Sequence, residues 1–104
     1  RRQDTEQIVI LERALITVKP GQAEAFKAAF PKARPHIEAA KGFRKIEMRQ
    51  GIENPEDFLL LVWWQTLEDH TVGFRESDAF TQWRAILGPL FASPPQVVHH
   101  AEPL

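Results

Sequence analysis

Phe58-Leu59-Leu60-Leu61-Val62-Trp63-Trp64, with Asp57 before it and Gln65-Thr66 after it, decides the fold. Successive side chains of a strand point to opposite faces. Phe58, Leu60, Val62 and Trp64 therefore take one face, and Leu59, Leu61 and Trp63 the other. Both faces are apolar, so both need cover. Helices of the same chain cover one. In a chain of 104 residues the other calls for a second subunit, and a homodimer is expected.

Outward from this strand the punctuation is regular. Ile8 to Val18 alternates as a first strand and is closed by Lys19-Pro20-Gly21, a turn signal. Gln22 to Ala40 has helical spacing through Phe26, Ala29, Phe30, Ala33 and Ile37. Pro31 and Pro35 each remove a backbone donor and crowd the preceding turn. They predict a helix to about Phe30, a kink, and a second helical piece to about Ala40. Phe43 to Ile52 is the second strand, Glu53-Asn54-Pro55-Glu56 a hairpin connection, and Asp57 to Gln65 the third strand. Thr66 is placed to cap a short helix with Leu67, His70, Thr71 and Phe74 on one face. Ser77 caps the next helix, which carries Phe80, Trp83, Arg84 and Leu87; Gly88-Pro89 weakens it and Ser93-Pro94-Pro95 ends it. Gln96 to Ala101 is the last strand. The order βαββαβ predicts an α+β, ferredoxin-like fold: an antiparallel four-stranded sheet with helices on one face.

Composition narrows the function classes. The chain is one domain, residues 8–104, after an N-terminal segment 1–7 expected to be flexible. With 13 basic and 14 acidic residues there is no basic field to hold a nucleic-acid backbone. No apolar run approaches the ~20 residues that span a bilayer, and the start lacks an apolar signal core, so a cytoplasmic location is the default. Absence of cysteine excludes disulfides, thiolate metal sites and cysteine nucleophiles. His99 and His100 face opposite sides of a strand and cannot chelate one ion together. His36 stands alone. No metal is expected.

Several stretches together resemble the antibiotic biosynthesis monooxygenase domains of the dimeric α+β barrel superfamily. They are Val62-Trp63-Trp64-Gln65-Thr66, the segment His70-Thr71-Val72-Gly73-Phe74-Arg75-Glu76-Ser77-Asp78-Ala79-Phe80, then Trp83-Arg84, and Pro94-Pro95-Gln96-Val97-Val98-His99-His100. The resemblance covers about Ile8 to Glu102. It implies two sheets, one per subunit, meeting in a barrel, with a ligand cavity between sheet and helices in each. Some members oxygenate phenols or quinols with molecular oxygen and no flavin, heme or metal: the substrate's own anion reduces oxygen, and the protein orients and deprotonates it. Where heme-degrading members carry an axial histidine this chain has Arg84, and Arg13 stands at the position of their first-strand asparagine. The phenol-oxygenating members place tyrosine in the cavity; this chain has none.

The resemblance and the residues together give a cofactor-independent monooxygenase of a small or medium aromatic, with a non-catalytic ligand-binding or structural dimer as the alternative. His70, on the apolar face of its helix, is the expected base, since imidazole accepts a proton near neutral pH; the ordinary alternative is a core histidine bonded to a backbone carbonyl. Trp63 and Trp64 point opposite ways. The family's strand-end tryptophan favours Trp64 as the stacking wall, and core filling is the plain alternative for each. Phe74 and Trp83 are expected to line the cavity. Arg75 and Arg84 are expected to hold an anion or a developing oxyanion, or else to be solvated charges. Glu12 and Arg13 interrupt an otherwise apolar strand. A charge buried there needs a partner, so one of them is expected in a cavity or interface ion pair.

Overall fold

The computed structural model describes residues 9–104; Ile8 and the expected flexible segment 1–7 lie outside them. The elements are β1 (Ile10–Thr17), α1 (Ala23–Glu38), β2 (Phe43–Gln50), β3 (Asp57–Trp64), a π-helical turn (Asp69–Phe74), α2 (Asp78–Leu87), a 3-10 turn (Gly88–Leu90) and β4 (Gln96–His100). The strands form one antiparallel sheet in the order β2-β3-β1-β4. This is the expected ferredoxin-like βαββαβ fold. No helix among the described residues is long and apolar enough to cross a membrane.

The alternation of β3 sets the layers. Phe58, Leu60, Val62 and Trp64 are buried under the helices with Ala14, Ile16 and Val18 of the first strand and its end. Phe26, Ala33 and Ile37 of α1 and Trp83 and Leu87 of α2 close this core. Full burial of one such side chain stabilises by roughly 1.5–3 kcal/mol, so this face holds the subunit together. The opposite face carries Leu11, Leu15, Leu59, Leu61, Trp63 and Val98, with Leu15 46% and Val98 42% exposed. Lys45, Glu47 and Arg49 of β2 flank it, the Lys45 ammonium 5.0 Å from the centre of the Trp63 ring.

Two local expectations are corrected. The helix expected to break near Pro31 runs unbroken from Ala23 to Glu38. Pro31 and Pro35 are one turn apart on the exposed side, so the carbonyls they orphan are open to water, while Phe26, Ala33 and Ile37 hold the other side to the core. The Thr66-capped segment is not an ordinary helix. Thr66 Oγ1 does accept from the Asp69 N–H at 3.1 Å, but the Arg75 N–H then bonds back to the His70 carbonyl at 3.1 Å, five residues away. The π winding buries His70 and Phe74 and leaves Leu67 40% exposed. Ser77 then caps α2 as expected, accepting from the Phe80 N–H at 3.2 Å.

Gly42 fixes the start of this segment. Its φ of +82° is a left-handed conformation that glycine adopts freely, and its carbonyl accepts from the Gln65 N–H at 2.7 Å. A Cβ at Gly42 would land on the Asp69 carboxylate.

Candidate active site

Three strand positions and the π turn build one buried polar cluster. β1 turns Glu12 to the helix side, where it is only 5% exposed. On the neighbouring strand β4 its register partner is His99. On β3, Trp64 lies diagonally across from Glu12, opposite Ile10. The Trp64 indole N–H donates to Glu12 Oε1 at 2.9 Å. His70 lies flat on Trp64, ring centres 5.3 Å apart and planes 18° apart. Its Nε2 is 3.4 Å from the same Glu12 oxygen, and its Nδ1 is 2.8 Å from His99 Nε2. Phe74 packs on Trp64 from the π turn at 5.7 Å, and Phe43 meets it edge-on at 6.2 Å.

Burial decides the protonation of this cluster. It pushes the Glu12 carboxyl up to about 6, against the Trp64 hydrogen bond and the Arg75 charge, which favour the carboxylate. It pulls His70 down to about 4, helped by the positive field of Arg75 and by His99. His99 is lowered too, first by burial, then by Arg75 and His100. At pH 7 Glu12 is therefore mostly a carboxylate and both imidazoles are neutral. An ionised Glu12 offers only lone pairs, so His70 carries its proton on Nε2 and accepts from His99 at Nδ1. Both ring nitrogens of His70 are thus engaged.

The cluster forms the inner wall of a cavity of about 1110 Å³ between the β1–β4 half of the sheet and α2. This is slightly above the usual range of small-molecule sites, ~300–1,000 Å³, and admits a fused aromatic ring system. Ala14, Ile16 and Leu60 form its floor; Phe80 and Trp83 line the α2 side; the segment Phe91–Pro95 closes the far side. Arg75 and Arg84 line it as well.

The expected site residues divide in three. His70, Trp83, Arg75 and Arg84 line the cavity. Trp64 and Phe74 stand one layer behind, Trp64 as the support on which His70 lies and Phe74 packed against Trp64 and Trp83. Trp63 is on the other face of the sheet, away from the cavity, because its neighbour in sequence takes the helix side. Glu12, one of the two strand charges expected in a cavity or interface ion pair, joins the cluster, and His99 completes it without having been singled out. The signal for Glu12 was an acid in an apolar strand. His99 has no such signal, since only the β1–β4 register brings it to Glu12. Among the described residues no group of three or more His, Asp or Glu side chains is arranged to hold a metal ion; His70 and His99 turn their nitrogens on each other instead.

The family profile described as antibiotic biosynthesis monooxygenase matches residues 8–86. A Bordetella bronchiseptica protein, described as a candidate antibiotic biosynthesis monooxygenase, is 40% identical in sequence. Its crystal structure superposes with a TM-score of 0.89 over 94% of this chain and 100% of that one. The uncharacterised Bacillus subtilis protein YczJ is 37% identical over 91 residues, 88% of this chain and 96% of its own length. A conserved protein from Methanosarcina mazei shares the fold at 18% identity, with a TM-score of 0.78 over 93% of this chain and 95% of that one.

Proposed function

Because the chain belongs to the antibiotic biosynthesis monooxygenase family, we propose that it is a cofactor-independent monooxygenase of a phenol- or quinol-type aromatic, acting as a homodimer. The observation that carries the reading is the pairing of a buried carboxylate with an imidazole on the wall of a large, mostly apolar cavity. An apolar cavity with a few convergent polar groups is the ordinary form of a small-molecule site. A cavity sealed by leucine and phenylalanine alone would instead have favoured a binding or structural protein.

The division of labour follows from the protonation states. His70 is too weak a base to take a phenolic proton alone, and neither of its nitrogens is free. Glu12, held up to about 6, lies on the same wall and takes the proton, with His70 shared beside it and orienting it. Trp64 fixes both through its N–H and its ring face. The resulting substrate anion passes electrons to molecular oxygen, and a peroxide forms on a ring carbon. Loss of water then leaves a carbonyl. When a ring methylene becomes a carbonyl, the four electrons that reduce the oxygen all come from the substrate; one oxygen atom enters the product and the other leaves as water. Dimerisation is supported by the apolar open face of the sheet, and members of the family are generally dimeric.

The test is oxygen uptake by the purified dimer across a panel of phenols, quinols and anthrones. Uptake equimolar with substrate, and a single labelled atom in the product from isotopic oxygen, are the expected results. A folded dimer that consumes no oxygen with any of them overturns the reading.

A further inference from the structure

We propose that Arg75 and Arg84 make this cavity selective for an aromatic that carries one carboxylate, a selectivity that rests on the aromatic-ligand reading above. Elsewhere among the described residues Lys27 is matched with Glu24, Arg34 with Glu38, and Lys45 and Arg49 both with Glu47, while Arg13, Lys19, Lys32, Lys41 and Arg44 have no carboxylate at ion-pair distance and none of them lines the cavity. Arg75 and Arg84 have no carboxylate at ion-pair distance among the described residues, yet both line the cavity. They come from different elements, Arg75 from the end of the π turn and Arg84 from the last turn of α2. The fold, not a local sequence pairing, brings them to one site.

Charge supports a monoanion. Two guanidinium groups against the Glu12 carboxylate, with His70 neutral, leave the site with one positive charge in excess. A ligand with one carboxylate cancels it. Moving a phenolic proton to Glu12 changes no part of that sum, because the proton stays inside the site. Geometry points the same way. The Arg84 guanidinium sits 5.9 Å from the centre of the Phe80 ring, itself a cavity wall. A planar fork held near an aromatic wall is suited to a carboxylate in the plane of a bound ring system, which an ammonium group would hold only as a point charge. Both arginines are solvent-accessible, so the preference is moderate and weakened by salt.

The experiment uses a hydroxynaphthoate and its matching carboxamide, equal in ring system and phenol, titrated into the dimer by calorimetry. The acid should bind about fivefold more tightly at low salt, and the margin should shrink in about 0.5 M sodium chloride. In an Arg75→Gln, Arg84→Gln double variant the two ligands should bind alike, with the carboxamide affinity kept. Its thermal unfolding checks that the fold is intact. Equal binding of the two probes by the unaltered protein overturns the selectivity alone, as does a preference that survives in a folded double variant. Binding of neither probe overturns the aromatic-ligand reading and this selectivity with it.

Discussion

Three adjacent strands each carry a pair of neighbouring residues that the sheet splits between its faces. Trp64, Glu12 and His99 go to the helix side; Trp63, Arg13 and His100 go to the open side. Each face therefore has a tryptophan, a charge and a histidine in nearly the same places. On the helix side they lock together: the indole bonds to a carboxylate whose pKa is raised, and His99 reaches His70. On the open side Arg13 Nε makes one exposed contact of 3.3 Å with His100, and Trp63 lies under Lys45. A tryptophan, a charge and a histidine form a poised acid–base cluster where the helices bury them and the charge is a carboxylate, whereas on the face left open in the single subunit the charge is a guanidinium and the contacts stay exposed. Burial and the sign of the charge together make the site.

The largest test of that contrast is turnover. Glu12→Gln should lower kcat with a phenolic substrate by about 10²–10⁴-fold, the usual range for a lost general base, and His70→Gln, which removes only the group that orients Glu12, should lower it by a smaller factor. Arg13→Gln should leave kcat per folded dimer unchanged and act on subunit association instead, read by sedimentation. Full activity in Glu12→Gln would make the two faces functionally equivalent and end the assignment.

Next come the tryptophans. Trp64→Ala empties a fully buried site and should cost about 3–5 kcal/mol in denaturant unfolding. Trp63→Ala should leave the subunit core standing and make the dimer dissociate at higher protein concentration. Similar losses at both positions would show that the open face is as firmly packed as the helix face.

The finest test is the pH dependence of stability. Glu12 is raised from 4.5 to about 6, so the folded state prefers it protonated. Its contribution is fully favourable below pH 4.5 and is lost as the pH rises through 6. The stability difference between Glu12→Gln and the unaltered protein should therefore shift by about 2 kcal/mol in the variant's favour between about pH 4 and pH 8. His70 runs the other way. Its lowered pKa favours the neutral form, so its contribution is present above pH 6.5 and is lost as the pH falls toward 4. His70→Gln should flatten that acid limb in thermal melts recorded over the same interval.

The sequence makes plain what depends on local pattern. The two-faced run Phe58 to Trp64, the element order and the Ser77 cap follow from alternation and turn chemistry alone. Features that depend on register do not. Which tryptophan takes the helix side and supports His70 turns on whether β3 presents even or odd positions to the helices. His99 becomes a partner of His70 only because β4 pairs with β1 so that it stands beside Glu12. The continuity of α1 through Pro31 and Pro35 depends on which side of the helix meets water. The rank of His70 as a base depends on burial, because an exposed histidine with the same neighbours in sequence would titrate near its ordinary value.

The winding at Asp69–Phe74 has a consequence for chain length. A π turn holds one residue more than the α turn that would span the same ends. Its flanks are anchored independently, by Thr66 and Gly42 on one side and by the Ser77 cap on the other. A single-residue deletion at exposed Val72 or Gly73 can therefore be absorbed by rewinding, with α2 left in phase, whereas the same deletion inside α2 would rotate its buried face away from the core. The position of His70 over Trp64 is thus adjustable by indel as well as by substitution. This is the place where a relative of the chain could reshape its cavity without altering any side chain that lines it.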